Sequence, residues 1–403
     1  MIARTEYLDR LIGFRDKRVI KIITGIRRCG KSTLLEMFRQ YLLENGVSPE
    51  RIVAVNFEDF GFRHLRGAEA LHNYVTQRMA PGEMTYVFLD EIQNVPGFQE
   101  VVDSLHLRKN LDIYLTGSNA FLLSGELATL LSGRYVEIEM LPLSFREYVS
   151  STGNADHLNE KYRQYLQLSS FPGALEFEGN PKHIADYLQG VYNSVVLKDV
   201  VSRFKITDVM MLESIIRFAY DNIGSPLSTK SISNAMKADG RKIDVKSVER
   251  YLRALMDSFI LYQAKRYNIK GKQHLKTLEK YYAVDIGLRW LLLGQSGTDV
   301  GHILENVVYL ELLRRGYEVY VGKVDALEVD FVAMNREGST YFQVSATVRE
   351  PSTLARELAP LQKIGDHYPK LLLTLDDDQD ADYEGIHRTN ALRWLVGEST
   401  IFS

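Results

Sequence analysis

Over the first 150 residues, short β-branched apolar runs alternate with amphipathic stretches, a pattern that predicts the strands and helices of an α/β domain. Val19 to Thr24 reads as a buried strand, and it leads through a glycine-containing loop into the amphipathic helix LLEMFRQYLLE. Further strands are predicted at Ile52 to Phe57, Tyr86 to Leu89, Asp112 to Thr116 and Tyr135 to Met140. After Pro142 the period becomes helical as far as residue 222, with helices over Tyr162 to Leu168 and Ile184 to Leu197. Two short helices then follow, one near Ser228 and one from Asp244, each opened by side chains that cap a helix start. A hairpin comes next, from Phe259 to Tyr267, through a turn at Asn268 to Lys272, and back over Lys280 to Val284. The tail has a helix at Gly301 to Arg315 and strands at Tyr317 to Val321, Glu328 to Ala333 and Thr340 to Val344. This pattern divides the chain into an N-terminal α/β domain (1–150), a helical connector (151–222), a helix and hairpin region (223–295) and a second α/β domain (296–403).

Composition narrows the function classes. In 403 residues, 49 Lys plus Arg stand against 52 Asp plus Glu, so a net charge of -3 excludes a polycation that coats nucleic acid or anionic lipid. A single cysteine excludes an intrachain disulfide and any multi-cysteine zinc site, and it suits a reducing compartment. No stretch approaches the roughly 18 apolar residues of a membrane span, and MIARTEYLDRLIGFRDK lacks the apolar core of a signal peptide. The expectation is a soluble cytoplasmic protein without a membrane partner.

The loop after the first strand carries the chemistry. Gly25, Gly30, Lys31 and Ser32 fit GxxxxGKS between a strand and a helix, the arrangement in which backbone N–H groups and a helix N-terminus cradle a phosphate. Gly25, Arg28, Cys29, Gly30, Lys31, Ser32 and Thr33 are therefore expected to line an ATP site. Lys31 would reach the β and γ phosphates, and the Ser32 hydroxyl would ligate Mg²⁺. The third strand delivers Asp90 as a second magnesium ligand and Glu91 as the group that polarises an attacking water. A further predicted strand between the loop and Asp90 points to the P-loop division in which a carboxylate base stands beside that aspartate. Thr116, Ser118 and Asn119 compete as the γ-phosphate sensor. Arg134 is either an arginine finger, in cis or across a subunit contact, or a strand-capping residue held by a surface ion pair. Cys29, beside Arg28, Lys31 and a helix start, would have a lowered thiol pKa and be protected by ATP if exposed; the alternative is that it packs inward.

In combination, GIRRCGKSTLL, VNFED, FLDEIQNV, LTGSN, LSGRYVEIEMLPLSFREY, FPGAL and VLKDVVSRF resemble a large prokaryotic family in which an AAA-type ATPase is fused to a C-terminal domain of uncharacterised function. The resemblance runs over nearly the whole chain. It implies an AAA-like parallel sheet, ATP with Mg²⁺, and ATPase activity. No Asn/Thr-Lys-x-Asp guanine motif follows a strand, which favours adenine.

Residues Ser225 to Lys280 hold 13 Lys plus Arg against 5 Asp plus Glu. In the helix after Asp244, Val245, Val248, Leu252 and Leu255 share one stripe, while Lys246, Arg250 and Arg253 share another. An apolar back and a basic front, followed by a hairpin carrying Lys265, Arg266, Lys270 and Lys272, suit a winged helix. Its partner would be DNA or another protein, including a second copy. The tail is similar to the restriction-endonuclease-like fold, whose active pattern uses a helix Glu, an Asp and (D/E)-x-K. Glu305 and Asp330 match, but the third element is Gln343-Val344-Ser345, so the nuclease site is read as degenerate unless Lys323 migrates into it. The leading functional expectation is an Mg-dependent ATPase that couples nucleotide state to partner or DNA engagement. The alternatives are a nucleotide-gated regulatory module with slow hydrolysis and an ATP-controlled metal-dependent nuclease.

Overall fold

The computed structural model describes residues 2–118, 120, 131, 133–153, 155–177, 179–294 and 299–398. Two compact units emerge: residues 1–140 with 257–259, and residues 141–256 with 260–403.

In the first unit, β1 (Ile20–Thr24), β2 (Ile52–Asn56), β3 (Thr85–Asp90), β4 (Leu111–Thr116) and β5 (Tyr135–Glu139) form a parallel sheet in the order β2-β3-β4-β1-β5. The helices are α1 (Thr5–Gly13), α2 (Lys31–Glu44), α3 (Ala68–Thr76) and α4 (Phe98–His106). Every residue of β1, β3 and β4 is buried, which explains their near-continuous apolar runs: a central parallel strand is covered on both faces. The charge in β1, Lys21, is tolerated because it forms an ion pair with Asp112 at the start of β4. On one side, Leu71, Val75, Val101, Val102 and Leu105 pack against Ile20, Ile22, Val87 and Leu89. β4 lies between the loop-bearing β1 and the acid-bearing β3, while the further strand expected between the loop and Asp90 in the chain, β2, lies outside β3 at the sheet edge. All five strands point the same way, so their carboxyl ends share one edge, where ligands bind in open α/β sheets.

In the second unit, α5 (Phe145–Thr152), α6 (Leu158–Leu168), α7 (Pro181–Ser194) and α8 (Val209–Asp221) supply the expected helical stretch, and α7 continues into a π-helical segment, Val195–Ser202. β6 (Pro226–Leu227), α9 (Thr229–Ala238) and α10 (Val245–Asp257) precede the hairpin β7 (Leu261–Asn268) and β8 (Gln273–Ala283). The remaining elements are α11 (Ile286–Leu293), α12 (Val300–Arg314), β9 (Glu318–Val324), β10 (Leu327–Asn335), β11 (Gly338–Ser345), α13 (Pro351–Gln362), β12 (Lys370–Thr374), β13 (Ala381–Tyr383), β14 (Ile386–Asn390) and α14 (Ala391–Val396).

These strands make one mixed sheet in the order β13-β14-β12-β11-β10-β9-β7-β8-β6. The return strand β8 begins at Gln273 rather than Lys280; its first half, QHLKTLE, is too polar to announce a strand. The hairpin is not free-standing, because β7 pairs in parallel with β9, Lys265 lying opposite Tyr320 and Asn268 opposite Lys323. The boundary expected at 295–296 therefore falls between strands of a single sheet.

Candidate active site

Gly25 leaves β1 with φ +140, and a Cβ there would stand 2.1 Å from the Met140 carbonyl oxygen, so only glycine fits. Arg28 and Gly30 also have positive φ, and Gly30 is the N-cap of α2 with no side chain capping the helix. This winds the loop about the start of α2 and leaves the positive end of that helix without a side-chain acceptor, as an anion site requires. The Lys31 ammonium is buried and donates to the Gly25 carbonyl at 3.0 Å and the Ile26 carbonyl at 3.2 Å; it lies 3.9 Å from Glu91 Oε1. Ser32 and Thr33 begin α2 exposed.

Asp90 ends β3 and is held from two sides, accepting from Asn56 Nδ2 at 3.0 Å and from the Thr116 hydroxyl. Thr116 Oγ in turn accepts the Glu91 N–H at 2.9 Å. Ser118 Oγ donates to Glu91 Oε2 at 3.3 Å. Of the three sensor candidates, Thr116 thus serves Asp90 and Ser118 serves Glu91, while Asn119 lies outside the described residues. Two residues that sequence reasoning missed join them. Asn56 ends β2 opposite Asp90 in parallel register, and Gln93 donates to Glu91 Oε2. Both are polar residues at or just beyond the end of an apolar strand, a signal already present in VNFED and FLDEIQNV.

Comparison with known proteins agrees with this geometry. Residues 17–149 match the model of the AAA domain, and residues 159–299 match that of a domain of unknown function. The chain is 39% identical over 98% of its length to an uncharacterised protein of Haemophilus influenzae, covering 99% of it. It is 27% identical to an uncharacterised protein of Methanocaldococcus jannaschii, over 85% of this chain and 78% of that one. In fold it is similar to a Walker-type ATPase of Pyrococcus abyssi, with TM-score 0.52, 17% identity, and coverage of 72% of this chain and 96% of that one. The chain carries an N-terminal AAA-type P-loop ATPase domain and belongs to one family with the Haemophilus influenzae protein.

Within the AAA domain the geometry bears on two residues whose alternatives the sequence left open. Cys29 does not face the loop's mouth. It is fully buried, and burial pushes its thiol pKa up against the opposing pull of Lys31 and Arg4. Its place in the loop is limited to its backbone, whose N–H donates to the Ile26 carbonyl and whose carbonyl accepts from Arg4. Arg134 is the second. It immediately precedes β5, whose first residue Tyr135 pairs with Ile20, so it stands at the amino edge of the sheet, the length of β1 away from Gly25. There it pairs with Asp103, the strand-capping role, and it is no arginine finger to its own P-loop.

The second unit gathers the nuclease-like residues around a cleft of about 670 Å³ lined by Glu305, Asp330, Gln343 and Ser345 together with Lys280, Glu328 and Glu357. The cation beside Glu305 and Asp330 in this cleft is not Lys323 but Lys280, on β8. Its ammonium lies 2.9 Å from Glu305 Oε1, 2.9 Å from Glu328 Oε1 and 3.9 Å from Asp330 Oδ1. Although burial opposes its charge, Glu305, Asp330 and Glu328 together raise its pKa. Burial and then Glu305 push Asp330 well above the carboxylate range, despite Lys280 and the Val344 N–H, which donates to Asp330 Oδ2 at 2.8 Å. Gln343 donates to Glu357 Oε2 at 2.8 Å, and Ser345 is turned to the Thr347 carbonyl at 3.1 Å. Among the described residues, no group of three or more His, Cys, Asp or Glu is placed to hold a metal ion.

On α10, Lys246, Arg250 and Arg253 are exposed, and Val248, Leu252 and Leu255 are buried. Val245 departs from the expected stripe and is exposed, while Tyr251 and Ala254 join the buried face. In the hairpin turn Lys270 is held by Asp325 at 2.7 Å, while Lys272 is exposed with φ +48. No helix among the described residues is long and apolar enough to cross a membrane.

Proposed function

We propose that the AAA domain binds and hydrolyses Mg-ATP, and that its nucleotide state governs engagement of a partner by the second unit. The carrying observation is the meeting of Lys31, Asp90 and Glu91 at the carboxyl edge of the sheet, beside a helix start that no side chain caps. A phosphate chain in the P-loop would draw Lys31 from the Gly25 and Ile26 carbonyls and from Glu91, freeing that carboxylate. Glu91 then takes a proton from a water whose oxygen attacks the γ phosphorus in line, and ADP leaves with the bridging oxygen. The donor set fits magnesium: Asp90 supplies a hard carboxylate and Ser32 an exposed hydroxyl, and the ion would neutralise charge on the β and γ phosphates.

In the second unit the exposed Lys246, Arg250 and Arg253 support a winged-helix reading with DNA as the leading partner. The cleft at Glu305 supports a nuclease-like fold retained for binding or assembly, with an ammonium where a metal would sit. The deciding experiment measures ATP binding and turnover with and without duplex DNA. Lys31→Ala should abolish nucleotide binding, whereas Glu91→Gln should bind ATP and lose turnover by about 100-fold or more. Full turnover in Glu91→Gln would remove Glu91 as the base. Wild-type turnover too slow for a cycle, but nucleotide-dependent DNA binding, would favour the slow regulatory module.

A further inference from the structure

The turn that carries Glu91 also carries a second group aimed at the same point. Glu91 adopts φ +54, unusual for a residue with a side chain, and a short 3₁₀ turn, Ile92–Asn94, comes directly after it. The Glu91 N–H, fixed on Thr116 Oγ, anchors this bend. The bend brings the side chain of Gln93 back against the Glu91 carboxylate, so that the amide nitrogen donates to Glu91 Oε2 and lies 3.5 Å from Ser118 Oγ. The nitrogen is the end that faces the carboxylate, since an amide oxygen there would be repelled. Gln93 Oε1 is then buried and has no hydrogen-bond partner among the described residues. A buried acceptor left unfilled is uncommon in a folded protein and calls for a donor that is present in the working state.

The two oxygens of Glu91 are differently employed. Oε2 accepts from both Gln93 and Ser118, whereas among the described residues Oε1 faces only the Lys31 ammonium, at 3.9 Å. Once nucleotide draws Lys31 away, Glu91 Oε1 and Gln93 Oε1 become two open acceptors on neighbouring side chains. A water has two protons to give, and one bound to both acceptors has its lone pair oriented by the protein instead of by solvent.

We propose that Gln93 is a second catalytic residue of ATP hydrolysis: its Oε1 holds one proton of the attacking water while its Nε2 fixes the Glu91 carboxylate that removes the other. The water oxygen bonds to the γ phosphorus as the bond to the ADP oxygen breaks; the proton on Glu91 passes to product phosphate or solvent, and the proton on Gln93 stays with the new P–O–H. The proposal rests on the hydrolase reading of this site.

The test compares wild type, Gln93→Ala and Gln93→Met for steady-state ATP turnover from pH 5 to 9 and for affinity toward a fluorescent ATP analogue. Methionine keeps the packing volume while removing both the donor and the acceptor. Both variants should bind the analogue within about threefold of wild type and lose about 10- to 100-fold in kcat with KM little changed. Wild-type kcat in Gln93→Met would overturn the proposal. So would a loss of affinity in step with kcat, since that makes Gln93 a packing residue. A wild-type chain without Lys31-dependent turnover would overturn the hydrolase reading itself, a result recognisable because the unsubstituted protein is then the inactive one.

Discussion

Gly25 must satisfy two constraints at once, a backbone at φ +140 and a Cβ position 2.1 Å from the Met140 carbonyl oxygen. Conformational strain of this kind costs about 1–3 kcal/mol, and the steric overlap adds to it. Gly25→Ala should therefore lower the thermal stability of the nucleotide-free protein and lose ATP binding together; unchanged melting with unchanged affinity would show that the loop has another conformation. Cys29 sits four residues on with its thiol buried, and burial raises its pKa, so the reactive thiolate forms only above the usual cysteine range. Alkylation at pH 8 should be slow and equal with and without Mg-ATP. Rapid labelling that ATP suppresses would place the sulfur in the loop's mouth after all.

Helix α10 presents Lys246, Arg250 and Arg253 to solvent over a back of Val248, Tyr251, Leu252 and Leu255. If this face meets DNA phosphates, each lost contact should reduce the magnitude of the log-log salt slope by about 0.9. The Lys246→Ala, Arg250→Ala, Arg253→Ala triple variant leaves the buried back intact, so it should fold normally and hydrolyse ATP at the basal rate while its DNA binding weakens and flattens with salt. Absence of salt-sensitive DNA binding in the parent protein, with and without nucleotide, would make this face a protein-docking surface. Lys270 should add little to the slope, because Asp325 already holds its charge.

In the second unit as a whole, one buried ammonium joins the β7–β8 hairpin to α12 and β10 through Lys280, Glu305, Glu328 and Asp330. Removing it strands the buried Glu305 carboxylate, and breaking such a pair costs about 3–5 kcal/mol, so Lys280→Met should be strongly destabilised in denaturant unfolding. Asp330 carries the opposite sign. Its folded pKa lies above the unfolded value, so unfolding above pH 4 releases its proton and stability falls as pH rises toward the folded value. Asp330→Asn keeps a side-chain acceptor for the Val344 N–H and should equal or exceed wild type at pH 8, with the advantage shrinking toward pH 5; a loss of several kcal/mol at pH 8 would mean that the group is ionised and needed. With Lys280 in the cation's place, wild type should also show no divalent-metal-dependent DNA cleavage above a Glu305→Ala, Asp330→Ala control. Cleavage that the control abolishes would restore the nuclease reading.

The P-loop, β3 with its two acids and the five strands of the first unit were legible in the sequence because each is a local signal: a buried parallel strand is a continuous apolar run, and phosphate binding needs glycines, Lys31 and Ser32 in one short segment. The helix with Glu305 and the strands with Asp330 and Gln343 were legible for the same reason. Only the tertiary structure decided which distant residues share a site. Lys280 lies 25 residues before Glu305 and 50 before Asp330, in a strand whose polar first half hides it, and nothing local marks its ammonium as their counter-ion. Arg134 reads along the chain as either a finger or a strand cap, and strand direction sends it to the amino edge, since a parallel strand delivers to the carboxyl edge only the residues at its C-terminal end. Cys29 is next to Gly30 in sequence and faces the core, because the loop's positive-φ residues turn its side chain inward. Sequence pattern sets the period and the class of each element; direction, register and the inward or outward turn of a loop depend on pairing between segments far apart in the chain.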